Sequence, residues 1–100
     1  MLTITNIAGQ ELSRAMDVSV VPRVVPDFGD PVVPGEYIAE VPTLEIASSG
    51  DSPRDAVENL KLKIMLAAEQ IAEMKIFSPY WAKTRDKFLA YGLDFTKIEV

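Results

Sequence analysis

A glycine–aspartate–serine–proline corner opens the longest helical pattern in the chain. The Ser52 hydroxyl is placed to cap the helix, and Pro53 suits the first helical position because its missing N–H would be unpaired there. Asp55, three residues after the cap, completes a capping box and puts negative charge at the positive end of the helix dipole. Gly50 permits a backbone conformation that other residues avoid. These signals predict a helix over 53–75, entered from a preceding strand.

The predicted helix is apolar on two sides. One set of residues has the spacing of a face that covers a sheet: Val57, Leu60, Ile64, Ala67, Ala68 and Ile71. At about 100° per residue, Leu62, Met65 and Leu66 point to the other side, among glutamates. Two interpretations stay open. Either another part of the chain covers these three residues, or they form a dimer or partner-binding face, as contiguous exposed apolar area usually does.

Three segments before the corner have strand character. Residues 17–26 are rich in valine, which favours a pleated backbone, and Pro22 places this strand at an edge or bends it. Residues 36–42 alternate with period two, and a turn at Pro42 separates them from a short strand at 44–48. The proline-rich stretch between the first two strands predicts a long hairpin connection. The arrangement is typical of an antiparallel meander.

The two ends of the chain complete the predicted fold. In the N-terminal extension 1–16, the pattern fits a short strand followed by a helical turn over 10–16. In the C-terminal part 76–100, a second helix is predicted from Ser78 to about Gly92, with Pro79 in its first position. Its aromatic side is predicted to pack onto the first helix and contains Trp81, Thr84, Phe88 and Tyr91. Residues 95–100 alternate and predict a final strand.

Together these elements predict one α+β domain over residues 1–100. A three-stranded antiparallel meander carries the long helix on one face, and a second short helix and a final strand follow. The predicted order is therefore β-β-β-α-α-β. A chain of this length supports a single core.

Composition excludes several classes of chemistry. The chain has no cysteine, hence no disulfide or thiolate metal site, and no histidine, the residue most used for acid–base catalysis near neutral pH. Its net charge is −5, and residues 1–50 hold seven acids and two bases. An acidic surface repels phosphates. We therefore expect no direct nucleic-acid binding, and a basic partner protein fits better.

Candidate catalytic and metal-binding groups do not form a convincing site. The acidic residues that could gather around Mg²⁺ are Asp27, Asp30, Glu36, Glu40, Glu45 and Asp51. Surface carboxylates on strands are far more often solvated than ligating. Ser48, Ser49 and Ser52 have neither a histidine base nor a nucleophile elbow. The sequence therefore predicts a protein that is not an enzyme and holds no metal or cofactor.

The sequence also carries no targeting or membrane signal. Its start lacks the basic residues and apolar block of a signal peptide. No apolar run approaches the roughly 20 residues that span a bilayer. A cytoplasmic protein without membrane association is therefore predicted.

The segment 36–61, EYIAEVPTLEIASSGDSPRDAVENLK, resembles the core of the HicB antitoxin family. That family typically shows a strand ending in Y-x-A, a P-x-L turn, a short strand, G-D-S/T and a helix with E-A-x-x-N. The residues that match, most of which build turns and core, are Tyr37, Ala39, Pro42, Leu44, Gly50, Asp51, Ser52, Asp55, Ala56, Val57, Asn59 and Leu60. Asp55 stands where glutamate is commoner.

The resemblance implies a partial ribonuclease-H-like β-β-β-α-β domain without catalytic residues. Such a domain binds a small basic ribonuclease toxin (HicA-like), blocks its active site and often forms homo-oligomers. Many members carry a C-terminal DNA-binding domain, for which the helix and strand after residue 75 leave no room, so we expect no DNA binding. The alternative is a stand-alone oligomerising interaction module of the same fold, with no toxin partner.

Overall fold

The computed structural model describes residues 2–22 and 36–98, which form a four-stranded sheet and two helices. The elements are β1 (Leu2–Ile7), β2 (Gln10–Pro22), β3 (Tyr37–Val41), β4 (Ile46–Gly50), α1 (Pro53–Glu73), α2 (Pro79–Ala90) and a 3₁₀ turn at Phe95–Lys97. Neighbouring strands are antiparallel, in the spatial order β1-β2-β3-β4. The α+β class is confirmed, but the antiparallel meander has four strands before α1, where the sequence predicts three and a final strand after the helices.

The additional strand comes from the N-terminal extension. Residues 10–16 belong to β2 and do not form the predicted helical turn. The hairpin turn holds Ala8 and Gly9 at φ values of 52° and 79°, which is typical of two-residue turns whose twist matches paired strands. β2 pairs with β1 through its first part and with β3 through its last four residues. It therefore joins the hairpin to the rest of the sheet.

The predicted strands around β3 and β4 are confirmed with shifted boundaries. In β3, Ala39 and Val41 are fully buried, as the alternation predicts. β4 begins at Ile46 and not at Leu44, because Glu45 has a φ of 56° that ends the turn. Leu44 is nevertheless buried within the turn, where its N–H donates to the Val41 carbonyl at 3.1 Å. The predicted connection 26–35 and the end of the valine-rich strand lie outside the described residues.

Helix α1 begins as the corner predicts. Ser52 is the N-cap, and its hydroxyl accepts a hydrogen bond from the backbone N–H of Asp55 at 3.1 Å. The prediction that Gly50 adopts a backbone conformation that other residues avoid is wrong, because its φ is not in the left-handed region. A Cβ at Gly50 would instead lie 2.6 Å from the carbonyl carbon of Asp55 and 2.8 Å from the Cα of Ala56. Glycine is required so that the first turn of α1 can approach β4.

The core lies between the sheet and the inner side of α1. The helix residues that are buried are Ala56, Leu60, Ile64, Ala68 and Ile71, which confirms most of the predicted face. They form one cluster with inward-facing residues of all four strands. α1 therefore covers the sheet with one side and turns its other side away from it.

The C-terminal part confirms the second helix but not the final strand. Phe88 and Tyr91 are buried, as the aromatic row predicts. Residues 95–97 form a 3₁₀ turn, because the Asp94 carboxylate accepts hydrogen bonds from the N–H of Thr96 at 3.0 Å and its hydroxyl at 2.6 Å. These two bonds lower the pKa of Asp94 below its usual value of 3.8. Residues 99–100 lie outside the described residues.

This C-terminal segment is fastened to the start of β2. The Gln10 side-chain amide exchanges two hydrogen bonds with the backbone of Asp94, at 2.8 and 2.9 Å. The N–H of Ser13 donates to the Tyr91 carbonyl at 3.0 Å. Gly92, at a φ of 91°, passes so close to Ser13 that a Cβ there would collide with its side chain. Within residues 2–22 and 36–98, this C-terminal segment therefore adds no strand to the sheet.

Candidate functional site

Four acidic side chains line a shallow groove of about 460 Å³ where β4 turns into α1. They are Glu36, Asp51, Asp55 and Glu58, and Ser49, Gly50 and Asn59 complete the lining. Among the described residues, no lysine or arginine lines this groove. The last three acids of the four are exposed to solvent. We call this surface the acidic corner.

The local sequence explains why these acids meet. Gly50 lets α1 start against the end of β4, and Ser52 fixes the first turn of the helix. Asp55 and Glu58 are three residues apart and so share one side of the helix. Glu36 reaches the same place because its neighbour Tyr37 pairs with Gly50 across β3 and β4.

The structure brings together only some of the family-pattern residues. Gly50, Asp51, Asp55 and Asn59 line the acidic corner, with Ser52 as the adjacent cap. The others serve the fold: Tyr37 opens β3 half-buried, Ala39, Leu44 and Ala56 are buried, and Pro42 occupies the exposed turn. The motif therefore marks one surface and the core beneath it.

The chemistry of the acidic corner is that of exposed carboxylates and one amide. Within residues 2–22 and 36–98, no group of three or more acidic, histidine or cysteine side chains is arranged to hold a metal ion. Of the acids considered for Mg²⁺, Glu36 and Asp51 lie at the corner, Glu45 borders a different groove, and Asp27 and Asp30 are outside the described residues. What the corner offers a ligand is negative charge in a concave setting.

Asn59 also takes part in closing one edge of the sheet. Its amide donates to the Ser49 carbonyl at 2.9 Å, and the Lys63 ammonium donates to the Ala47 carbonyl at 2.8 Å. Residues two apart on a strand point their carbonyls to the same side. These two bonds therefore occupy the outer edge of β4 that a further strand would use.

The outward side of α1 is apolar and uncovered at two positions. Leu62 is 51% exposed and Leu66 is 49% exposed, while Met65 is half-buried. The interpretation in which another part of the chain covers both leucines is wrong for the described residues. Trp81 of α2 borders the same groove as Leu66 but leaves that leucine exposed. That these residues form a partner-binding face stays a prediction.

The two leucines border different grooves. Leu62 and Met65 line a groove of about 280 Å³ between α1 and β1, which we call the β1–α1 groove. Leu66 lines a groove of about 300 Å³ bounded by β4 and α2. The outward side of α1 is therefore divided into a flank facing β1 and a flank facing β4.

Two residues that shape these surfaces were not singled out from the sequence. Glu58 belongs to the acidic corner, and Lys63 closes the β4 edge. Helical spacing could have found both, because Glu58 follows Asp55 by three residues and Lys63 follows Asn59 by four. The sequence does not show which strand each side of the helix faces.

Comparison of the chain with known protein families, characterised proteins and solved structures finds no match. The HicB resemblance therefore rests on the quoted residues alone and stays a prediction. In the part of the chain that the structure describes, no helix has the length and apolarity needed to cross a membrane.

Proposed function

We propose that this chain is a non-enzymatic, HicB-like protein-binding domain that neutralises a small basic ribonuclease toxin. The observation that carries the proposal is the acidic corner, a groove that is lined by four carboxylates and, among the described residues, by no lysine or arginine. The segment resembling the antitoxin family contributes Gly50, Asp51 and Asp55 to the same surface. The β-β-β-α order of β2, β3, β4 and α1 also agrees with the order that the resemblance implies.

The charge of the corner suits a basic protein physically. Exposed carboxylates raise the local concentration of a positively charged partner and orient it during approach. Each exposed ion pair contributes only about 0.2 to 1 kcal/mol, so the corner supplies association rate and orientation more than total affinity. The absence of histidine and cysteine from the sequence makes a binding role more consistent than catalysis.

Co-expression tests the biological role. A small basic protein encoded in a neighbouring reading frame should be toxic when expressed alone, and this chain should restore growth when expressed with it. Failure of the rescue, or a partner without toxicity, would remove the antitoxin role.

Charge-neutralised variants test the surface. The Asp51→Asn/Asp55→Asn variant should weaken binding of the basic partner about fivefold, since two exposed ion pairs contribute about 1 kcal/mol together. The Glu69→Gln/Glu73→Gln variant removes the same charge from the other end of α1. Glu69 lies about 21 Å from Asp55 along the helix, more than two Debye lengths at physiological salt. Equal losses from both variants, measured by calorimetry, would count against the corner.

A second candidate function is a stand-alone oligomerising module. The exposed Leu62 and Leu66 favour it, because apolar side chains on an outward helix side are typical of contacts between subunits. A neighbouring frame for a small basic protein favours the first candidate, and a solution mass above that of one chain without such a frame favours the second.

A further inference from the structure

The β1 edge of the sheet is the one that α1 does not close by hydrogen bonds. Within the described residues, β1 pairs with β2 alone and stands last in the strand order. Its sequence, Leu-Thr-Ile-Thr-Asn-Ile, contains neither proline nor a charged residue. Proline, lysine and covering elements are the usual means by which proteins keep an edge strand from pairing with another chain. β1 carries none of the first two, and its backbone offers about 20 Å of strand edge.

An apolar surface continues from this edge. The β1–α1 groove runs beside Ile4 and Ile7 to the exposed Leu62. Nearer the start of both elements, Leu2, itself 48% exposed, borders a second groove with Val57. β1 and this flank of α1 therefore present strand edge and apolar side chains together, which is what a partner adding a strand requires.

Charge on this surface favours a second copy of the chain as the occupant. The net charge of −5 opposes self-association through most surfaces, and through the acidic corner above all. Along the β1 flank of α1, however, Arg54 and Lys61 lie on either side of Glu58. In a twofold contact each copy supplies both signs, so that Glu58 of one copy can meet Lys61 of the other. A strongly basic partner would meet the like charges of Arg54 and Lys61 on this strip.

We propose that two copies of this chain associate about a twofold axis through antiparallel pairing of their β1 strands. The sheet then continues from one copy into the other, and both α1 helices lie on the same face. Leu62 and Met65 of each copy fill the β1–α1 groove at the contact. This inference rests on the oligomerising role given above and adds the surface that performs it; it does not depend on the basic toxin.

Matched leucine variants test the surface. Sedimentation over a concentration series is measured for the wild type, Leu62→Glu and Leu66→Glu. The two leucines are equally exposed on the same helix, but one faces β1 and the other faces β4. We expect a dimer for the wild type, at least about a tenfold loss of association for Leu62→Glu, as for residues central to an interface, and less than about a twofold loss for Leu66→Glu.

Single-cysteine variants provide a second measurement that does not weaken the contact. The chain has no cysteine, so a Thr5→Cys variant on β1 and a Ser49→Cys variant on β4 each carry one reactive thiol. A short bismaleimide should join two Thr5→Cys chains and leave Ser49→Cys chains single.

The outcomes distinguish the oligomerising role from the specific contact through β1. A monomeric wild type overturns both the twofold contact and the oligomerising role. A dimer that Leu62→Glu leaves intact, or that crosslinks through Ser49→Cys, keeps the oligomerising role but overturns the β1 contact. Binding of a basic toxin is scored with the Asp51→Asn/Asp55→Asn variant, because neither leucine lines the acidic corner and that surface shares only Glu58 with the β1–α1 groove.

Discussion

The two edge strands of the sheet, β1 and β4, lie beside opposite flanks of α1. The side chains that the helix presents to them differ. Towards β4, α1 presents Asn59 and Lys63, whose long polar side chains donate to the carbonyls of the edge. Towards β1, it presents Leu62 and Met65, which have no donor, and Lys61, whose ammonium lies 3.7 Å from the Glu58 carboxylate. A groove remains on this side. The side chains of the covering helix, and not its presence alone, therefore decide whether an edge is closed to further strands.

The largest effect should separate the inner side of α1 from its outer side. Leu60→Ala removes a fully buried side chain and should lower the free energy of unfolding by about 2 to 5 kcal/mol. Leu62→Ala makes the same change two residues away at an exposed position and should cost less than about 0.5 kcal/mol. Urea denaturation of both variants at a concentration where the chain is monomeric measures the difference. Equal losses would mean that Leu62 belongs to the core.

Gly50→Ala should disturb the β4 edge specifically. The added Cβ collides with backbone atoms of Asp55 and Ala56, and overpacking of this kind costs about 1 to 3 kcal/mol. Amide exchange in β4 should accelerate as α1 is pushed away. Gly9→Ala is the control, because its Cβ meets no atom within 4 Å and only its φ of 79° opposes the change. Faster exchange in β4 for Gly9→Ala would contradict this account of the corner.

Lys63→Met should open the closed edge at a smaller cost. Loss of the bond to the Ala47 carbonyl should lower stability by about 0.5 to 1.5 kcal/mol and increase self-association through β4. Lys83→Met is the matched control, since Lys83 is exposed on α2 and lines neither the groove bounded by β4 and α2 nor the β1–α1 groove, and exposed substitutions of this kind change stability by less than about 0.5 kcal/mol. Light scattering, combined with thermal unfolding, would show whether Lys63→Met alone increases self-association.

The smallest effect concerns Asp94, in the C-terminal segment that hydrogen bonds hold against the hairpin of β1 and β2. The bonds from Thr96 lower the pKa of Asp94, so its stabilising effect is present above its usual pKa of 3.8 and is lost as pH falls through the lowered value. The difference in melting temperature between the wild type and Asp94→Asn should therefore shrink below pH 3.8. An NMR titration that places the Asp94 midpoint at or above 3.8 would contradict this.

Local signals made the start and the inner side of α1 predictable. Ser52 and Pro53 fix the start of the helix through bonds within one turn, and the spacing of Leu60, Ile64 and Ile71 fixes its inner side. These interactions depend on neighbours in sequence and hardly on the rest of the fold. The same signals place Asp51 and Asp55 at the start of α1, but the groove that these acids form with Glu36 and Glu58 was not predicted.

The N-terminal hairpin was missed because the apolar spacing of β2 fits a helix as well as a strand, and its pairing with β1 is irregular. Between the pairs Ile4–Met16 and Asn6–Glu11, residues 12–15 of β2 stand opposite a single residue of β1. Leu12 and Met16 are both buried, and their four-residue spacing fits one side of a helix as well as one face of a strand. The alternation at the C-terminus failed for a different reason, since Asp94 bends the chain into a 3₁₀ turn that alternation does not reveal.

Amide hydrogen exchange at low and high protein concentration tests most directly whether one edge is closed and the other available. We expect protection of Leu2–Ile7 in β1 to rise with concentration, because a second copy covers that edge, while protection of Ile46–Gly50 in β4 stays constant. Protection that is independent of concentration in both strands, or that rises in β4, would show that the edges do not differ in the way described.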